Sequence, residues 1–266
     1  LQAEPVITTQ SDNMGLWALD TLAHTYNWTM KLRLKDHEED VDGEKSDALL
    51  NRAIALFVNK KQVALLLEQE DEGSRFLEKT CPSHVHIYKD ITEIPTNQYE
   101  LIIAVSPYKH VYPALCLQFI PKVLHIGVGC KRNLEVEDAF LVSYLYRILQ
   151  EKHLYPEAIA DVNSVDIKAE EKVLLRLSKT LQVPFHTYPA EMLDEWAVPN
   201  PSEIVRSATG TKSVSEASAL CAARDGELII PKQIYHEGEL QFTLAVALGE
   251  NAGHGHIEIV GAGPGD

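Results

Sequence analysis

Gly127-Val-Gly-Cys-Lys-Arg132 stands between an apolar run, residues 122–128, and a segment whose Leu141, Tyr144, Leu145 and Ile148 recur at i, i+3, i+4 and i+7. Strand, glycine-rich turn and amphipathic helix in that order form the βα unit of an open α/β sheet. Such sheets place ligands at the carboxyl ends of their strands, where this turn lies. The turn is not a dinucleotide fingerprint, because Arg132 occupies the position of the third glycine in GxGxxG. Gly127 and Gly129 would let the backbone approach a ligand, and Lys131 and Arg132 would pair with carboxylates or phosphates. The plainer alternative is a tight turn with two solvated cations. Glu135, Glu137 and Asp138 already complement the following helix N-terminus, which weakens any anion site built on its dipole.

Working outward, residues 159–165, 184–188, 227–230 and 242–248 read as strands, with helices around 170–179, 202–208 and 214–224 between them. Upstream, Leu16, Leu19, Ala23 and Tyr26 predict a helix over 15–28. Leu49, Leu50, Ala53, Ile54 and Phe57 predict another over Glu44–Val58. Residues 62–67, 84–88 and Leu101–Val105 read as strands, and Pro121 marks a boundary. The expectation is α/β: two three-layer α/β domains with mostly parallel open sheets, over 1–120 and 121–250. Residues 251–266 then read as a glycine-rich linker, a strand and the loop Gly261-Ala-Gly-Pro-Gly265.

The 266 residues carry a formal net charge of −15, which argues against non-specific binding to nucleic acid or an acidic membrane surface. No apolar run approaches the ~18 residues that span a bilayer. Four scattered cysteines, with no CxxC and no secretory signal, suit a reducing cytosol, so a cytoplasmic location is expected. Eleven histidines form no set with metal-ligand spacing, so no metal site is expected.

Further candidates lie in the second half. Asp166, Lys168 and Glu170 would share one side if their strand continued that far, offering a general base and an electrostatic partner; alternatively the next helix starts there and the charges are solvated. Thr209-Gly-Thr-Lys-Ser-Val-Ser-Glu216 pairs Ser213 with Glu216 as a capping box. The loop before it, with Thr211 and Lys212, has backbone amides that could cradle an anion. Lys232, in Ile230-Pro-Lys232, is expected at a strand end.

Each motif alone is weak, but their order is informative. Gly127-Val-Gly-Cys-Lys-Arg132, Ser164-Val-Asp-Ile-Lys-Ala-Glu170, Val198-Pro-Asn-Pro-Ser202, Ser213-Val-Ser-Glu-Ala217 and Ile230-Pro-Lys232 resemble, in sequence, the C-terminal domain of the CbiG (cobalt-precorrin-5A hydrolase) family of cobalamin biosynthesis. The first 120 residues resemble that family's central domain, with Pro5-Val-Ile-Thr-Thr-Gln-Ser-Asp12 at the junction where its N-terminal domain would end. Asn133 departs from the glycine common at that position. Ile257-Glu-Ile-Val-Gly-Ala-Gly-Pro-Gly-Asp266 resembles the opening of S-adenosylmethionine-dependent tetrapyrrole methyltransferases, which implies a fusion, with a C11- or C17-methyltransferase following.

The resemblance implies hydrolysis of the ring-A lactone of cobalt-precorrin-5A with release of acetaldehyde, by a protein of which this chain is a fragment. The implied ligand is an anionic polycarboxylate tetrapyrrole. Gly127, Gly129, Cys130, Lys131, Arg132, Lys168, Thr211, Lys212, Ser213 and Lys232 are the binding candidates, and Asp166 or Glu170 the base. No cofactor is expected in this fragment: cobalt enters with the substrate, and S-adenosylmethionine belongs to the downstream domain. Other domains of the same polypeptide are the expected partners. The alternatives are a non-catalytic tetrapyrrole-binding module of a methyltransferase fusion, or a structural spacer.

Overall fold

A computed structural model describes residues 16–250, apart from positions 38, 42, 43, 133, 135 and 239. The junction at residues 5–12, the segment 251–266 and Asn133 lie outside the described residues.

Among the described residues ten strands form two five-stranded sheets. In the first, β2 (Val63–Leu67), β3 (Val85–Tyr88), β4 (Leu101–Val105) and β5 (Leu115–Ile120) run parallel, and β1 (Thr29–Arg33) closes one edge antiparallel to β5, in the order β1-β5-β4-β2-β3. Every residue of β2 and β4 is buried, as continuous apolar runs in the middle of a covered sheet must be. One face packs on Phe57 and Ala53 of α2 (Glu44–Val58), Leu77 of α3 (Glu72–Lys79) and Leu22 of α1 (Leu22–Thr25). The other face is covered by Ile94, Tyr99 and Tyr112, from a 3-10 turn and loops rather than from an α-helix.

The helix expected over 15–28 shrinks to the single turn α1. Asn27 takes φ +55° and turns the chain into β1, and Trp17 and Leu19 reach the core from non-helical backbone. β1, β5 and α3 had no counterpart in the sequence reading. α3 begins with a reciprocal Asp71–Ser74 cap, in which serine stands where glutamate is usual. Gln118 interrupts the apolar pattern of β5, yet it is fully buried because its amide donates to the carbonyls of Ser106 and Tyr108.

The second sheet has the order β8-β7-β6-β10-β9. β6 (Leu124–Cys130), β7 (Ile159–Val165) and β8 (Phe185–Tyr188) are parallel, while β10 (Leu240–Leu248) and β9 (Glu227–Glu237) add an antiparallel hairpin. Its three layers are clear. α4 (Asp138–Glu151) and α5 (Lys172–Leu181) pack on the face carrying Ile126 and Val128, and α8 (Val214–Ala223) lies on the opposite face. α6 (Ala190–Asp194) and α7 (Glu203–Thr209) flank α8.

The two sheets meet at a polar seam. Arg33, 2% exposed, donates to the Tyr155 hydroxyl and pairs with Asp40 at 3.0 Å, and Tyr155 in turn donates to Asp40 at 3.0 Å. Lys31 adds ion pairs to Asp40 (3.0 Å) and Glu157 (2.9 Å). The loop after β4 hydrogen-bonds across the seam, Tyr155 N–H to the Pro107 carbonyl at 2.9 Å.

Candidate functional site

The Gly127–Cys130 stretch is strand rather than turn. β6 runs through Cys130, with Gly127 opposite Ala245 and Phe242 opposite Cys130. A Cβ at Gly127 would lie 1.8 Å from the Ser215 carbonyl oxygen and 2.9 Å from the Ala219 nitrogen. The glycine therefore admits the backbone of α8 rather than that of a ligand. A Cβ at Gly129 would come 3.4 Å from Val214, so the first turn of α8 sits beside the end of β6. Lys131 and Arg132 follow at the carboxyl edge, both exposed.

Glu216, in that first turn, is completely buried. Its carboxylate accepts from the backbone N–H (3.2 Å) and side-chain amide (2.7 Å) of Asn200, the backbone N–H of Lys232 (3.0 Å) and the Ser213 hydroxyl (3.3 Å). The expected capping box is thus corrected. Ser213 makes no side-chain bond to the helix backbone; Glu216 meets its N-cap only through the Ser213 hydroxyl and otherwise binds Asn200 and the Lys232 N–H of β9. One carboxylate so fastens three of the ordered motifs, Val198–Ser202, Ser213–Ala217 and Ile230–Lys232. A buried charge is tolerated only where donors replace water in this way. Lys232 lies within β9, which continues to Glu237, rather than at a strand end, and its ammonium donates to the Asn200 carbonyl.

The row expected from Asp166, Lys168 and Glu170 does not form. β7 stops at Val165, and Asp166–Lys168 make a 3-10 turn. Asp166 is exposed and accepts from the Ile167 N–H at 2.7 Å; Glu170 is exposed as well. Lys168 turns inward and pairs with Glu171 at 3.2 Å, both side chains under a tenth exposed. Next to them Cys130 has its thiol pKa pushed up to about 11, chiefly by burial and further by Glu171, against the opposing pull of Lys168.

The loop before α8 is not an open amide cradle. Lys212 N–H donates to Asp194 at 3.1 Å, its carbonyl accepts from Ser202 N–H at 2.9 Å, and Thr211 is fully buried. Arg206 bonds Asp194 and holds its carboxyl below the usual range. Gly210, at φ +83°, ends α7 in the left-handed conformation that lets the loop turn back.

One cluster has no counterpart in the sequence reading. His125 Nδ1 lies 2.9 Å from both oxygens of Asp161, the Asn163 amide donates to Asp161, and the Tyr188 hydroxyl donates to Asn163 at 3.3 Å. All lie on the α8 side of the sheet. Burial, then the Asp161 charge, push the Tyr188 phenol up to about 12. The available signal was polar residues at alternate positions of strands otherwise built for burial, Asp161 and Asn163 in β7 and His125 in β6.

Among the described residues no three His, Cys, Asp or Glu side chains group as metal ligands, and no helix is long and apolar enough to cross a membrane.

Comparison with known proteins fits this architecture. A family model described as the cobalamin synthesis G C-terminus matches residues 124–247, and one described as the cobalamin biosynthesis central region matches residues 17–121. The cobalt-precorrin-5A hydrolase of Salmonella typhimurium is 27% identical over 255 residues, covering 93% of this chain and 65% of that protein. The Priestia megaterium enzyme of the same name is 23% identical, covering 83% of this chain and 56% of that protein. Protein CobE of a Sinorhizobium species is 35% identical over 112 residues, 41% of this chain and 71% of that protein. The chain thus spans about two thirds or less of the hydrolases it matches. With the central-region model falling on the first sheet and the C-terminal model on the second, the chain belongs to the CbiG family of cobalamin biosynthesis.

Proposed function

We propose that this chain is the central and C-terminal part of an enzyme that opens the ring-A lactone of cobalt-precorrin-5A and releases acetaldehyde. The carboxyl edge around β6 and the first turn of α8 would receive the substrate. The observation that carries this reading is the gathering of three ordered motifs on Glu216, beside the end of β6. Opening the lactone requires a base that activates water and donors for the tetrahedral oxyanion; releasing acetaldehyde requires proton transfer during carbon–carbon cleavage. Asp166 or Glu170, exposed just past β7, are the candidate bases. Lys131, Arg132, Lys212 and Lys232 are the candidate partners of substrate carboxylates, with Gly127, Gly129, Cys130, Lys168, Thr211 and Ser213 shaping the edge. Cobalt enters within the substrate.

The proposed organisation is a central unit over 1–120, a C-terminal unit over 121–250, and the start of a methyltransferase over 251–266. The alternative reading is a non-catalytic tetrapyrrole-binding module of a bifunctional precorrin C11- or C17-methyltransferase fusion. Incubation with cobalt-precorrin-5A separates the readings. Acetaldehyde release supports the hydrolase, binding without release supports the module, and absence of both overturns the proposal. An Asp166→Asn variant of the full-length protein that opens the lactone normally would remove Asp166 as the base.

A further inference from the structure

The seam between the sheets borders an open cleft of about 470 Å³ whose walls include Lys31, Lys109 and Lys122, the acids Asp40 and Glu157, and Tyr155. Three lysines against two acids leave this cleft with one positive charge in excess, in a chain of net charge −15. Lys31 is already neutralised by Asp40 and Glu157. Lys109 and Lys122 form no ion pair among the described residues. The Lys109 ammonium rests 5.0 Å over the Tyr155 ring, and Lys122 is half-buried in the link between β5 and β6.

Burial lowers the Lys122 pKa, with only the more distant Glu157 opposing the shift. A surface lysine ordinarily bends its head into water. One held in a cleft whose acids, Asp40 and Glu157, are engaged by Lys31 forgoes solvation that a further carboxylate would restore, and partial desolvation strengthens the resulting pair. The walls are also fixed in advance. Tyr155 is pinned by Arg33 and Asp40, so little ordering remains to be done on binding.

We propose that this inter-sheet cleft is a second carboxylate-binding site, in which Lys122 and Lys109 hold two carboxylate arms of a polycarboxylate macrocycle. Its size seats one edge of such a molecule against Tyr155. The inference rests on the reading of the ligand as a polycarboxylate tetrapyrrole, but not on the carboxyl edge of β6 as its site, because the cleft lies at the amino ends of β7 and β8.

The test uses uroporphyrin III, an octacarboxylate tetrapyrrole without cobalt, titrated against the whole chain. Lys109→Met with Lys122→Met keeps the side-chain stems and removes both charges; it is expected to weaken binding at least about tenfold and flatten its salt dependence. Lys60→Met with Lys61→Met, exposed before β2, should leave affinity unchanged. Amine-labelling of the unaltered chain, read by mass spectrometry, should show Lys122 and Lys109 protected by the porphyrin whatever the variants do. Binding within twofold of the unaltered chain, or absence of protection, overturns the cleft site. If Lys131→Ala with Arg132→Ala then weakens binding, the β6 edge stands while the cleft falls. No binding by the unaltered chain also overturns the cleft site and leaves the edge to the acetaldehyde assay.

Discussion

Replacing Gly127 with alanine tests why the family's motif begins with glycine. The new Cβ would lie 1.8 Å from the Ser215 carbonyl oxygen, 2.8 Å from the Ser215 carbonyl carbon and 2.9 Å from the Ala219 nitrogen. All three are backbone atoms of α8, so no side-chain rotation relieves the contact. To restore an ordinary separation α8 must move by at least about 1.6 Å. Nine of its ten residues are buried, so such a shift disturbs packing on both sides of the helix. It also pulls Glu216 from its partners on Asn200 and Lys232. Over-packing ordinarily costs about 1–3 kcal/mol, and a rigid backbone contact belongs at or beyond the top of that range. A loss of about 3 kcal/mol would lower the melting temperature by roughly 6–12 °C in a chain of this size. Gly129→Ala is the internal control, since its Cβ meets mainly the movable Thr243 hydroxyl at 2.7 Å, and it should cost clearly less. Urea unfolding of both variants, followed by circular dichroism, supplies the numbers. A Gly127→Ala chain within 1 kcal/mol of the parent, or less affected than Gly129→Ala, would refute the packing role.

Glu216→Ala leaves two backbone N–H groups, an amide and a hydroxyl without their acceptor, and should destabilise by about 3–5 kcal/mol in urea unfolding; Glu216→Gln keeps one acceptor and should cost about 1–3 kcal/mol. Tyr155→Phe removes a hydroxyl shared by Arg33 and Asp40 at the seam and should cost about 1–3 kcal/mol in the same measurement. All four thiols have raised pKa values through burial, Cys130 to about 11, so at pH 8 a thiol reagent should react far more slowly with native than with unfolded chain. The linkage runs in one direction. An unfolded Cys130 ionises near the ordinary value of 9.0 while the folded one stays protonated to about 11, so its contribution is full below pH 9 and is lost between pH 9 and 11. Stability that rose across that interval would contradict the burial of this thiol.

Continuous apolar runs made the central strands legible, and β4 and β7 begin and end where the sequence reading put them, as does α2. Elements whose stability comes from elsewhere were not legible. β5 contains a glutamine satisfied only by a distant loop, α3 owes its start to an unusual Asp–Ser cap, and 15–28 looked helical because a burial stripe does not specify backbone conformation. The order of motifs identified the family, but spacing misassigned the work of individual residues. Gly127 serves helix packing, Glu216 ties Asn200 and Lys232 to its helix where a capping box was expected, and Lys168 is buried in a pair where the alternation of a strand had put it in a row. For Gly127 and Glu216 the partners lie far away in sequence, where local periodicity does not report them, while Lys168 finds Glu171 three residues on because the strand gives way to a 3-10 turn.

The central claim is that the carboxyl edge of β6 receives the polycarboxylate substrate. The affinity for cobalt-precorrin-5A of the chain carrying Lys131→Ala and Arg132→Ala, measured against the parent over a range of salt, tests it most directly. At least about tenfold weaker binding with a shallower salt dependence is expected, since two exposed cations on the edge are removed. Unchanged affinity at every salt concentration would contradict the claim and take this edge out of the substrate site.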